Sequence, residues 1–124
     1  MGDGDDPVDR FLENLLEMDG DVYVINDAGD WVKFAVSRVP RSPERPQGIQ
    51  YSLTLHDASN RRVLGFDNAH SAPASHGLGR RERRFDHRHL GNRVRPYSYQ
   101  DGEKLLRDFW AAVDSFLAEK RGKK

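Results

Sequence analysis

The stretch IQYSLTLHDASNRRVLGFD, residues 49–67, decides the fold. In its first eight residues Ile49, Tyr51, Leu53 and Leu55 alternate with Gln50, Ser52, Thr54 and His56. That is the period-two pattern of a strand with one face packed and the other turned outward. Residues 57–60 carry turn chemistry, and residues 62–67 return as a second strand of the same hairpin. A lone hairpin is marginal in water, so its apolar face calls for more strands or a covering helix. The flanking segments supply both.

Upstream, residues 21–25 and 31–39 are rich in β-branched and aromatic side chains, and Asn26, Asp27, Ala28 and Gly29 between them signal a turn. Pro40, Pro43, Pro46 and Gly48 then mark a loop, because proline cannot sit in a central strand. Downstream, residues 85–90 and 94–99 flank Gly91 and Asn92 as two further short strands. Helices close both ends. Val8, Phe11, Leu12, Leu15 and Leu16 share one helical face over residues 7–18, with Pro7 suited to the first turn and Gly20 to the stop. From 101 to 120, Leu105, Leu106, Phe109, Trp110, Val113, Phe116 and Leu117 hold the spacing of a broad apolar stripe. Asp101 can cap this helix, while Lys120, Arg121, Lys123 and Lys124 suit its negative end.

The predicted architecture is α+β, an antiparallel sheet of about five or six strands with an N-terminal helix and a long C-terminal helix packed on it. A curved half-barrel of the same elements is the alternative. The 124 residues make a single domain, with residues 1–6 as a flexible tail and residues 68–84 as an exposed basic loop. With no cysteine, disulfides and thiolate metal sites are excluded. No apolar run approaches a bilayer span and no signal-peptide pattern opens the chain, so a cytoplasmic protein without a membrane partner is expected. The zero net charge conceals a dipole along the chain, since residues 1–30 hold ten acids against one base. Arginine outnumbers lysine fifteen to five in the whole sequence, and its planar fork matches phosphate or carboxylate.

The chemistry concentrates in residues 62–90, which contain four of the five histidines, His70, His76, His87 and His89. In Asp86-His87-Arg88-His89, an extended backbone points the two histidines to one face and Asp86 and Arg88 to the other. Two imidazoles so placed can divide the roles of base and acid. A divalent metal would need a third ligand beside His87 and His89, for which Asp67, His70 and His56 are the candidates. No other cofactor is expected, because no phosphate-binding glycine loop, dinucleotide fingerprint or serine nucleophile elbow is present. For metal-independent RNA cleavage, the catalytic candidates are His87, His89, His70, Asp67 and Arg88, with Arg84 as a further cation. Arg80, Arg81, Arg83 and Arg84 form the run suited to nucleic-acid binding. Three other readings stand beside catalysis. One is a module that binds nucleic acid or an acidic partner without chemistry. Another is a homodimer formed through Trp31 or Trp110, and the last is a polar strand edge that merely resists aggregation.

Several of these residues together resemble a known family. The run Val63-Leu64-Gly65-Phe66-Asp67-Asn68-Ala69-His70, then Asp86-His87-Arg88-His89, Pro96-Tyr97 and Leu105-Leu106-Arg107-Asp108-Phe109, is similar to the TumE family of toxin-antitoxin proteins. The resemblance covers roughly residues 22–116, and its specific part is the pairing of Asp-Asn-x-x-His with Asp-His-Arg-His. This chain departs by carrying Phe66 where tyrosine is more usual and by a longer spacer, residues 71–84. The resemblance implies a cytoplasmic toxin encoded beside a helix-turn-helix antitoxin and acting on RNA. It supplies no catalytic residue.

Overall fold

The computed structural model describes residues 11–43, 45–68, 86–91 and 93–122. The tail, the first residues of the predicted N-terminal helix, residues 69–84 of the basic loop, His70 and the arginine run lie outside the described residues. Within them the chain runs α1 (Leu12–Glu17), β1 (Val22–Val24), β2 (Trp31–Arg38), β3 (Ile49–His56), β4 (Arg62–Asp67), β5 (Asp86–Leu90), β6 (Arg93–Tyr97) and α2 (Gly102–Gly122). The six strands form one sheet in chain order, and every neighbouring pair is antiparallel. The α+β architecture is therefore as predicted. The sheet is an open meander.

Register and alternation sort the side chains. Val32, Phe34 and Val36 of β2 stand opposite Leu55, Leu53 and Tyr51 of β3, while Leu64 and Phe66 of β4 oppose Leu55 and Leu53. Cross-strand partners share a face, so these residues make one continuous apolar surface, and all are buried. Leu105, Leu106, Phe109 and Val113 of α2 and Leu15 of α1 complete the core. Phe109 is the centre, meeting Phe34 and Phe66 edge-on at 5.6 and 6.1 Å between ring centroids. Such edge contacts suit the ring quadrupoles.

The path of α2 is fixed at both ends by polar contacts. Near its start the Tyr97 hydroxyl of β6 donates to Asp108 at 2.6 Å, and Lys104 Nζ donates to the same oxygen at 2.7 Å. Near its end Lys120 reaches the buried Asp30, in the turn between β1 and β2, at 3.2 Å. The helix thus crosses the sheet obliquely, from one edge strand toward the other. The far end of the β5–β6 hairpin is left without a helix above it.

Asp101 caps α2 as its sequence position suggests. Its Oδ1 accepts from the Lys104 N–H at 2.8 Å and its carbonyl accepts from Leu105 N–H at 3.0 Å. Replacing Asp101 by Ala removes the side-chain acceptor from one of the helix's otherwise orphaned N–H groups. The expected loss is about 1 kcal/mol of stability, measurable as a lowered urea midpoint with unchanged slope.

Candidate functional site

β4 and β5 pair with Gly65 opposite His89 and Asp67 opposite His87. Because Leu64 and Phe66 face α2, the alternating positions Asp67, His87 and His89 fall on the other face of the sheet. His89 Nε2 lies 2.9 Å from Asp67 Oδ2, a diagonal contact between adjacent strands. Both side chains are largely enclosed, at 18% and 13% exposure. The His87 ring is 6.2 Å from that of His89, tilted by 48°.

Burial lowers the pKa of His89 below the ordinary imidazole value of 6.5, and the nearby Asp67 carboxylate opposes this without overcoming it. His89 is therefore neutral near pH 7, and its Nε2–H donates to Asp67. That bond selects the tautomer and leaves Nδ1 as the ring's proton acceptor. A carboxylate-oriented imidazole with a second imidazole on the same face is equipped to take up one proton and deliver another.

Three of the five candidate catalytic residues, Asp67, His87 and His89, are brought together. Arg88 is not. It points to the α2 side, where its guanidinium sits 5.6 Å over the Phe66 ring. His70 and the arginines 80, 81, 83 and 84 lie outside the described residues. His56 is engaged elsewhere. It stacks on Trp31 at 4.0 Å and shares a 2.9 Å hydrogen bond with Thr54 Oγ1. Among the described residues no three His, Asp or Glu side chains converge as a metal-ligand group.

Two further residues of the motif pair have structural partners that sequence reasoning missed. Asn68 is fully buried at the end of β4. Its Oδ1 accepts from Tyr51 N–H at 2.9 Å and its Nδ2 donates to the Ile49 carbonyl at 2.8 Å. The amide thus pairs with the β3 backbone. Asp86, also buried, accepts a 2.6 Å hydrogen bond from the Tyr51 hydroxyl on the helix side of the sheet. No local signal announces these contacts, since each partner lies 17 to 35 residues away.

Burial raises the Asp86 pKa, with the Tyr51 hydrogen bond and His87 opposing. Above the ordinary carboxylate value of 3.8 the folded chain holds this proton longer than the unfolded chain does. Its contribution to stability therefore declines as pH rises through that window. Asp86→Asn keeps an acceptor for Tyr51 and removes the buried charge. The variant is expected to melt higher than wild type at pH 8 and to show a smaller loss of stability as pH rises above the ordinary carboxylate value.

Together the fold and site define a small α+β protein whose single sheet carries an oriented carboxylate–imidazole pair on the face away from its long helix. The chain belongs to the TumE toxin family, whose model, described as Toxin TumE, matches residues 11–117. Neither a curated protein nor a solved structure matches it. Membership makes it a toxin by family, and a toxin family implies an antitoxin partner. Among the described residues no helix is long and apolar enough to cross a membrane.

Proposed function

We propose that this toxin cleaves RNA in the cytoplasm and is held in check by a helix-turn-helix antitoxin. The observation that carries the reading is the 2.9 Å contact between Asp67 and His89, with His87 on the same face. His89 Nδ1, presented by the Asp67 bond, removes the proton of a ribose 2′-hydroxyl. The 2′-oxygen then attacks the adjacent phosphorus, and the bond from phosphorus to the 5′-oxygen breaks. His87, in its protonated form, gives a proton to the leaving 5′-oxygen. The products are a 2′,3′-cyclic phosphate and a free 5′-hydroxyl, with one proton taken and one returned. The sequence places Arg80, Arg81, Arg83 and Arg84 between β4 and β5, a run of charge suited to the phosphate backbone.

The test is incubation of the purified chain with total RNA, with and without chelator, beside His87→Ala/His89→Ala at matched circular dichroism. Degradation by wild type, insensitivity to chelator and an inert double variant are the expected results. Equal degradation by both proteins, or by neither, overturns the proposal. Loss of activity with chelator replaces it with a metal-dependent reaction.

A further inference from the structure

The oblique path of α2 leaves a groove of about 1170 Å³ between one flank of the helix and the β5–β6 hairpin. It lies on the sheet face opposite the histidine pair. On the sheet side its wall carries Arg88 and Arg93, and Arg95 lines a recess continuous with them through Arg88 and Leu90. Among the described residues none of these three arginines makes an ion pair with a carboxylate. Arg88 and Arg95 are moreover directly opposed across the β5–β6 ladder. Like charges in that position destabilise a sheet, so the hairpin carries a repulsion that an anionic ligand would relieve.

Charge is only half of the lining. Leu90 lies between the arginines with 39% of its surface exposed, and Val63, Ala111, Ala112 and Phe116 continue an apolar floor. Across from them Asp108 is already occupied by Lys104 and Tyr97, and Glu119, the groove's other acid, has no such partner among the described residues. The α2 flank from Lys104 to Glu119 extends about 22 Å at 1.5 Å per residue. An elongated slot with an apolar floor and a cationic wall is complementary to a helix with one apolar and one acidic face. We propose that this groove docks an acidic amphipathic helix of a protein partner. Nucleic acid fits less well, because a phosphate backbone has no apolar face to set on Leu90 and Phe116, and the groove's two aromatics, Tyr97 and Phe116, are both half-buried, with the Tyr97 hydroxyl held by Asp108.

The probe is a fluorescein-labelled peptide of about sixteen residues, four helical turns, with leucines on one face and glutamates on the other. A sequence-scrambled isomer of the same composition and labelled poly-U RNA serve as comparisons. Anisotropy titrations of the full chain are expected to show saturable binding of the amphipathic peptide and at least about tenfold weaker binding of the scrambled one. Arg93→Glu/Arg95→Glu should weaken the amphipathic peptide by about tenfold or more, and Leu90→Asn should weaken it with the charges intact. Both variants are taken at matched circular dichroism. Equal affinity for the two peptides reduces the groove to a general anion surface and overturns the proposal. So does failure of the peptide to bind, or binding of poly-U alone with loss in the double variant. Each of these readouts is independent of RNA cleavage.

Discussion

Asn68→Ala is expected to lower the unfolding free energy by about 3 kcal/mol, seen as a reduced urea midpoint with an unchanged slope. The amide meets the β3 backbone twice, accepting from Tyr51 N–H and donating to the Ile49 carbonyl, in a position with no exposed surface. Alanine leaves both backbone groups unpaired in the interior. Each such orphan costs about 1–3 kcal/mol, against a total stability of about 5–15 kcal/mol for a domain of this kind. Asn68→Asp separates the two bonds. A carboxylate can still accept from Tyr51 but cannot donate to Ile49, and its charge is buried. Its folded-state pKa should therefore be raised, so the Asp variant should lose stability as pH increases. A change within about 0.5 kcal/mol for Asn68→Ala, the range of a surface substitution, would contradict the structural role assigned to this motif residue.

The role of Asn68 also marks the boundary of what was legible in the sequence. The strands at Ile49–His56 and Arg62–Asp67 have the predicted limits because one buried face imposes strict alternation and the intervening turn sets the register. The long helix follows its apolar stripe, and Asp101 caps it where expected. Alternation likewise put His87 and His89 together and sent Arg88 away, although composition had grouped all three as one candidate site. The pairings of Asn68 with residues 49 and 51, and of Asp86 with Tyr51, depend on which strands become neighbours. Hydrophobic periodicity carries no such information. The contact of His89 with Asp67 depends in the same way on the β4–β5 register. The two strands are separated by a spacer whose length a local pattern cannot translate into an alignment.

That register divides the molecule by function. β5 is read differently on its two sides. Toward α2 it contributes Asp86 to a buried hydrogen bond and Arg88 and Leu90 to the cationic groove. On the other side it contributes His87 and His89 to the site with Asp67. A one-residue slip would exchange the two sets, placing arginine beside Asp67 and imidazoles against Phe66. Stability and site geometry are therefore selected through the same strand pairing, and damage to the β4 end by Asn68 substitutions should impair both.

On the proposed chemistry, His89→Ala is expected to slow RNA cleavage by at least about 100-fold, the usual contribution of a positioned general base, while leaving the circular dichroism spectrum unchanged. Asp67→Asn gives the sharper test. The amide oxygen can still accept from His89 Nε2–H, so the ring keeps its place, but the carboxylate's stabilisation of imidazolium is gone. That interaction raises the His89 pKa against the lowering effect of burial. Without it the pKa should fall further. A base acts in its deprotonated form, so the acid limb of the pH–rate profile should move to lower pH in Asp67→Asn. The maximal rate should fall at the same time, because the charge that forms on His89 as it takes the proton is no longer stabilised. A purely structural Asp67 would lower the amount of active protein and leave the position of that limb where it is in wild type. A shift to higher pH, or a His89→Ala variant that cleaves at the wild-type rate, would remove the pair from the reaction.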